Sequence, residues 1–236
     1  MTGNQTCDIN FNGPDAIALT ERRTVTADDA GWLYGSVSLV TANGVGATMN
    51  AAPHIGGTSF QYAVVPTTAL AGGDLYALNA YRLGTDNGRH ANRFFRTPGD
   101  QQVTLPPSPQ PAEFTQGAAM PCIQWDRYPN AVAYRLSMGD NNPTLAKGLA
   151  VYLTPGWLPA GMADRYRYDL PNFDGVDGWN PQWTFALNAT TAFTQCSVLT
   201  GNMSMQQWLA NIFANGNNRR DGMTYGEVLI ASPLGQ

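Results

Sequence analysis

Few side chains in this chain are suited to chemistry, and those few are scattered. His54 and His90 are the only histidines, and so the only side chains whose ordinary pKa makes them bases near neutral pH. Neither sits in a G-x-S-x-G or H-E-x-x-H motif. A hydrolase built on either would need a Ser-His-Asp grouping assembled only in space. Asn172, Asp174 and Asp177 place hard oxygen donors on a glycine-rich loop, a composition that suits calcium, although the spacing is not that of an EF-hand. The plain alternative is a solvated turn. Cys7, Cys122 and Cys196 are an odd number with no C-x-x-C spacing. With only two histidines besides and no clustered spacing, they argue against a four-ligand zinc site. They are disulfide candidates, and Cys7 also has a reading as a lipid-modified cysteine, without a lipobox before it.

The tryptophans are the better lead. Trp32, Trp157 and Trp179 lie beside turn signals, where exposed rings stack on sugars. Loop tryptophans also plug the ends of β-sandwiches. Trp125 and Trp183 lie in strand patterns and read as core, and Trp208 reads as the inner face of a helix.

The elements that must position these residues are mostly strands. The chain has 236 residues, enough for one large or two small domains. Charged residues are only 13% against about 25% in average domains, while 43% are hydrophobic and 11% aromatic. With 25 Gly and 16 Pro, this composition describes folded structure with many turns rather than disorder. The net charge of −4 argues against a nucleic-acid partner. No apolar run of about 20 residues is present, so no helix spans a membrane. The first ten residues, MTGNQTCDIN, carry neither the basic region nor the apolar core of a signal peptide. An extracytoplasmic placement therefore expects its signal outside this sequence.

Residues 1–20 read as an irregular arm containing Cys7. From Glu21 the pattern alternates. Strands are expected over 21–27, 32–40, 59–66, 74–83, 89–96 and 101–105, at spacings of about ten residues with Gly and Pro turns between them. Residues 41–53 read as a loop or an irregular strand. Residues 106–111, PPSPQP, form a proline-rich linker with extended polyproline geometry. A second set of strands then begins. Ile123 and Trp125 share one face, with Cys122 and Gln124 on the other. After the turn at 126–130, Val132, Tyr134 and Leu136 share a face. Further strands are expected over 145–154, 165–170, 183–189, 193–199 and 226–232. One helix stands out at 204–214: Ser204 and Gln207 make a capping box, and Met205, Trp208, Leu209, Ile212 and Phe213 recur at helical spacing. It carries no charge, which points to packing over a sheet rather than binding a membrane surface.

The stretch 119–138, AMPCIQWDRYPNAVAYRLSM, resembles strands B and C of fibronectin type III and related immunoglobulin-like domains through its W-x5-A-x2-Y spacing, Trp125 to Tyr134. The first half, with WLYGSV at 32–37, Val65-Pro66 and GDLYALNA at 73–80, resembles the immunoglobulin-like and transthyretin-like accessory modules of bacterial secreted and surface proteins. These resemblances imply an all-β fold of two immunoglobulin-like or fibronectin type III-like β-sandwich modules, over 21–105 and 112–236, with one short helix near the C-terminus. Such modules share no catalytic residues to carry over, and no cofactor is expected besides the calcium alternative at Asn172, Asp174 and Asp177. Trp125 and Tyr134 become core anchors, each costing about 3–5 kcal/mol on truncation to Ala if buried. With Trp125 inward, Cys122 faces outward, away from the inter-sheet bond of true immunoglobulin domains. The function expected is that of a non-catalytic, extracytoplasmic module making protein contacts or a structural or adhesive attachment. A carbohydrate-binding module using Trp157, Trp179 or Trp32 is the alternative, and a hydrolase using His54 or His90 the third reading.

Overall fold

A computed structural model describes residues 19–28, 33–50, 54–55, 57–82, 88–109, 113–116, 121–140, 147–158, 165–180, 192–213 and 219–232. Among the described residues the chain is all-β apart from one helix and a single 3-10 turn. The strands in the first half are β1 (Arg22–Ala27), β2 (Leu33–Val40), β3 (Gly46–Thr48), β4 (His54–Ile55), β5 (Ser59–Ala63), β6 (Leu75–Arg82), β7 (Arg89–Phe95) and β8 (Gln101–Val103). Those that follow are β9 (Glu113–Gln116), β10 (Pro121–Asp126), β11 (Ala133–Asp140), β12 (Lys147–Leu153), β13 (Arg165–Asp169), β14 (Ala192–Gly201) and β15 (Thr224–Ser232), with helix α1 (Met205–Phe213) between the last two. The expected strand over 183–189 lies outside the described residues, as do residues 1–18 of the N-terminal arm, Cys7 among them.

Most strands lie where the alternation and the Gly/Pro punctuation put them. Their arrangement is less easily read. Nine strands form one sheet in the order β12-β11-β14-β15-β7-β6-β2-β3, with β4 also on β2. Both halves of the chain contribute, and the seam is the antiparallel pair β15–β7. Two three-stranded sheets, β5-β1-β8 and β13-β10-β9, complete the set among the described residues.

Both small sheets cover the same face of the large one. Ala80 lies opposite Ala91, and Ala91 opposite Gly226, two residues before Val228. Cross-strand partners share a face, so the core under the first small sheet and the core under the second belong to one side. The first core packs Val25, Phe60, Tyr62 and Val103 onto Val37, Tyr76, Leu78 and Phe95. Its centre is a ring cluster, with Tyr76 stacked on Phe95 at 5.2 Å and Tyr62 edge-on to both. Gly35 is required here. A Cβ on it would stand 2.1 Å from Cε1 of Phe60.

The second core packs Ile123, Trp125 and Tyr166 onto Tyr134, Leu136, Leu153, Cys196, Val198 and Val228. Trp125 and Tyr134 are fully buried, their ring centres 5.4 Å apart, so they are the anchors the spacing implied. The Tyr134 hydroxyl accepts the backbone N–H of Tyr128 at 3.2 Å, closing the turn between their strands.

The opposite face of the large sheet is covered in part by α1. Trp208 and Met203 pack with Leu199, Ala133, Met223, Leu75 and Phe94, a third core that draws on both halves of the chain. The helix starts on the expected capping box: the Ser204 N–H donates to Gln207 Oε1 at 2.9 Å, and the Gln207 N–H to Ser204 Oγ at 3.2 Å. No described helix is long and apolar enough to cross a membrane.

Candidate functional site

The sequence-derived candidates do not converge. Trp157 is 65% exposed in the turn after β12. Its nearest described ring is that of Tyr168, at 6.4 Å and tilted by 42°. Trp179 stacks on Phe173 at 4.7 Å. Trp32 lies outside the described residues. No coplanar trio of exposed rings forms among the described residues. Asn172 Oδ1 accepts the N–H of Asp174 at 2.8 Å, an Asx turn that engages one of the three candidate calcium ligands. Asp174 and Asp177 are exposed, and no group of three His, Cys, Asp or Glu side chains among the described residues is placed to hold a metal ion.

Cys122 and Cys196 are separate, buried thiols. Cys196 is in the second core and Cys122 is on the outer side of β10, as the inward Trp125 requires. Burial pushes the Cys196 thiol far above its ordinary range. His54 pairs through its backbone with Gly35, and its side chain lies outside the described residues.

His90 is different. It stands on β7 at the centre of the large sheet, on the face that carries α1 but clear of the helix core. One row of cross-strand partners runs Tyr34, Tyr81, His90, Glu227, and the next runs Ser36, Asn79, Asn92, Tyr225. His90 Nε2 lies 3.1 Å from Asn79 Oδ1, and Asn92 Nδ2 lies 3.4 Å from His90 Nδ1 and 3.1 Å from Nε2. The Nε2–H tautomer donates to Asn79 Oδ1, while the Asn92 amide nitrogen, within 3.4 Å of both ring nitrogens, lies over the face of the ring. The rings of Tyr81 and Tyr225 stand edge-on to the imidazole, each at 6.2 Å, and Tyr34 lies against Tyr81 at 4.4 Å. Burial lowers the His90 pKa below its ordinary value. The imidazole is thus neutral at pH 7, its Nε2 held by the Asn79 amide oxygen, with no hydroxyl or thiol bonded to it among the described residues.

Around it is a shallow hollow of about 410 Å³, lined by Asn79, Tyr81, His90, Gln195, Ser197 and Glu227 with Gly88 and Leu229. Its polar character continues along β11. Arg135 is opposite Ser197, and Ser137 is opposite Gln195. Arg135 Nε and Ser137 Oγ are both buried without a hydrogen-bond partner. Buried polar atoms in native proteins are normally paired, so such orphans mark a place where a polar partner belongs.

Asn79, Tyr81, Asn92, Gln195, Ser197 and Glu227 come from four strands, and only His90 was singled out in the sequence. The signal available was modest: Asn79 in the otherwise apolar run LYALNAY, and His90 and Asn92 in alternating register.

No family model matches this chain, and no curated protein matches it.

Proposed function

We propose that this protein is a non-catalytic, extracytoplasmic binding module whose ligand is a neutral, hydroxyl-rich molecule of the glycan class, held in the hollow around His90. The observation that carries this reading is the composition of that hollow. Amides, a neutral imidazole, hydroxyls and a carboxylate line an open sheet face between tyrosine rings. Sugars present alternating donors and acceptors with apolar C–H faces, and these groups match both. Glu227 adds an acceptor beside His90 for a pair of adjacent hydroxyls.

A glycan array followed by calorimetric titration of the best binder tests the reading. The expected result is binding that is lost in His90→Ala and in Tyr81→Ala and kept in Trp157→Ala. Binding lost in Trp157→Ala and kept in the other two would move the site to the ridge formed by Trp157 and Tyr168. The absence of any glycan binding at millimolar sugar would overturn the reading. The 65% exposure of Trp157 favours a second reading, protein contact through that ridge, and a Trp157→Ala variant of unchanged surface attachment would remove it.

A further inference from the structure

On the face of the large sheet opposite to His90, the two small sheets leave a trough between them. Its volume is about 460 Å³, within the roughly 300–1,000 Å³ of small-molecule sites. Ala91 of β7 and Gly226 of β15 form its floor, Leu105 to Pro107 one wall, and Tyr128 to Asn130 the other. The floor must be glycine at 226, because a Cβ there would stand 2.5 Å from Pro106 Cγ and 2.8 Å from Thr200 Oγ1. The proline wall is pinned at two successive carbonyls. Arg89 Nη1 donates to the Pro106 carbonyl at 3.1 Å, and the Tyr128 hydroxyl donates to the Pro107 carbonyl at 2.7 Å. With φ also fixed at both prolines, the trough is preformed rather than assembled around a ligand.

Arg93 lines one end, opposite Thr224 in the register. It is exposed, and its guanidinium makes no ion pair or hydrogen bond among the described residues. None of the described residues that line the trough is Asp or Glu. An apolar channel with one uncompensated cation at its end selects for an anion carried on an apolar body.

We propose that this trough binds a small amphiphilic carboxylate, its hydrocarbon body over Ala91, Leu105 and Pro106 and its carboxylate on Arg93. A carboxylate accepts two parallel N–H bonds from the planar guanidinium fork. A phosphate dianion would call for further donors, and Arg93 is the one cation of the lining. The site is separate from the His90 hollow, and its test does not depend on glycan binding.

Octanoate, 1-octanol and octylammonium share one apolar body and differ in charge. Titrated into the full chain below their micellar concentrations, with calorimetry and amide chemical shifts as readouts, octanoate should bind about tenfold or more tightly than octanol. The shifts should centre on Gly226 and Ala91. Arg93→Gln should bring octanoate down to the affinity of octanol, Arg93→Lys should keep part of the preference, and Arg93→Glu should reverse it in favour of octylammonium. Equal binding of octanoate and octanol to the unaltered protein, no binding of either, or an octanoate affinity indifferent to all three substitutions would each overturn the proposal. Arg93 is exposed, so these variants fold, and a thermal melt of each confirms it.

Discussion

Asn79 and His90 share a hydrogen bond of 3.1 Å across the β6–β7 pair, in the middle of a sheet that nine strands build together. That bond orients the imidazole, and the edges of Tyr81 and Tyr225 on either side confine it. The ring is a fixed neutral element of the sheet face, and its protonation has a readable consequence.

His90 should titrate below 6.5, its ordinary value, because burial disfavours the imidazolium. The unfolded chain then takes up the proton before the folded one as the pH falls. The stability that depends on neutral His90 is complete above about pH 6.5 and is lost as the pH drops through the lower folded pKa. Proton NMR of the imidazole should give the depressed midpoint directly. Chemical denaturation at pH 5 and pH 8 should show a loss that His90→Gln reduces. A midpoint at or above 6.5 would contradict the burial described.

At the alkaline end the tyrosines dominate. Burial raises both Tyr128 and Tyr134 from 10.0 to about 12. Their contribution is fully present below about pH 10 and is lost as the pH rises through about 12, where the folded protein must ionise buried phenols. Phenolate absorbance should lag that of the unfolded chain between these limits and rise with unfolding. Tyr134→Phe should weaken the alkaline transition and, by leaving the Tyr128 N–H unpaired, cost about 1–3 kcal/mol near neutral pH in urea titration.

Gly35→Ala drives a methyl group into the Phe60 ring across the first core. Overpacking of this kind costs about 1–3 kcal/mol. The double variant with Phe60→Leu should be less destabilised than the sum of the two single changes, a coupling that a double-mutant cycle by urea titration measures. Additive losses would show that the two residues do not touch.

Ser204→Ala removes the acceptor for the Gln207 N–H, one of the free donors in the first turn of α1, and should cost about 1 kcal/mol. Because α1 covers Leu199, Ala133 and Phe94, the loss should appear as faster amide exchange in β14 near Leu199 as well as in the helix. Exchange confined to the helix would show that α1 frays independently of the sheet.

Much of this was legible in the residues. Trp125 and Tyr134 announce themselves as core because alternation puts each inward and each ring buries a large apolar area. Ser204 and Gln207 announce the start of the helix because a capping box is local chemistry, complete within four residues. The outward direction of Cys122 follows from the inward direction of Trp125, three positions on in an extended strand. The candidate site was not legible in the same way. Its members are ordinary polar residues of strands, and nothing in LYALNAYR or TYGEVLIAS reports that Asn79 and Glu227 will flank one histidine.

The sequence by itself determined the all-β class, most strand positions, the short amphipathic helix and the inward anchors, because periodicity, turn chemistry and capping act over a few residues. Only the tertiary structure decided that β15 returns to lie between β14 and β7. That single pairing joins the strands of both halves into one sheet, sets Glu227 beside His90 on one face, and leaves the trough with Arg93 on the other. Long-range antiparallel register is chosen by the burial of whole faces against distant partners, and no local stretch of the chain carries that information.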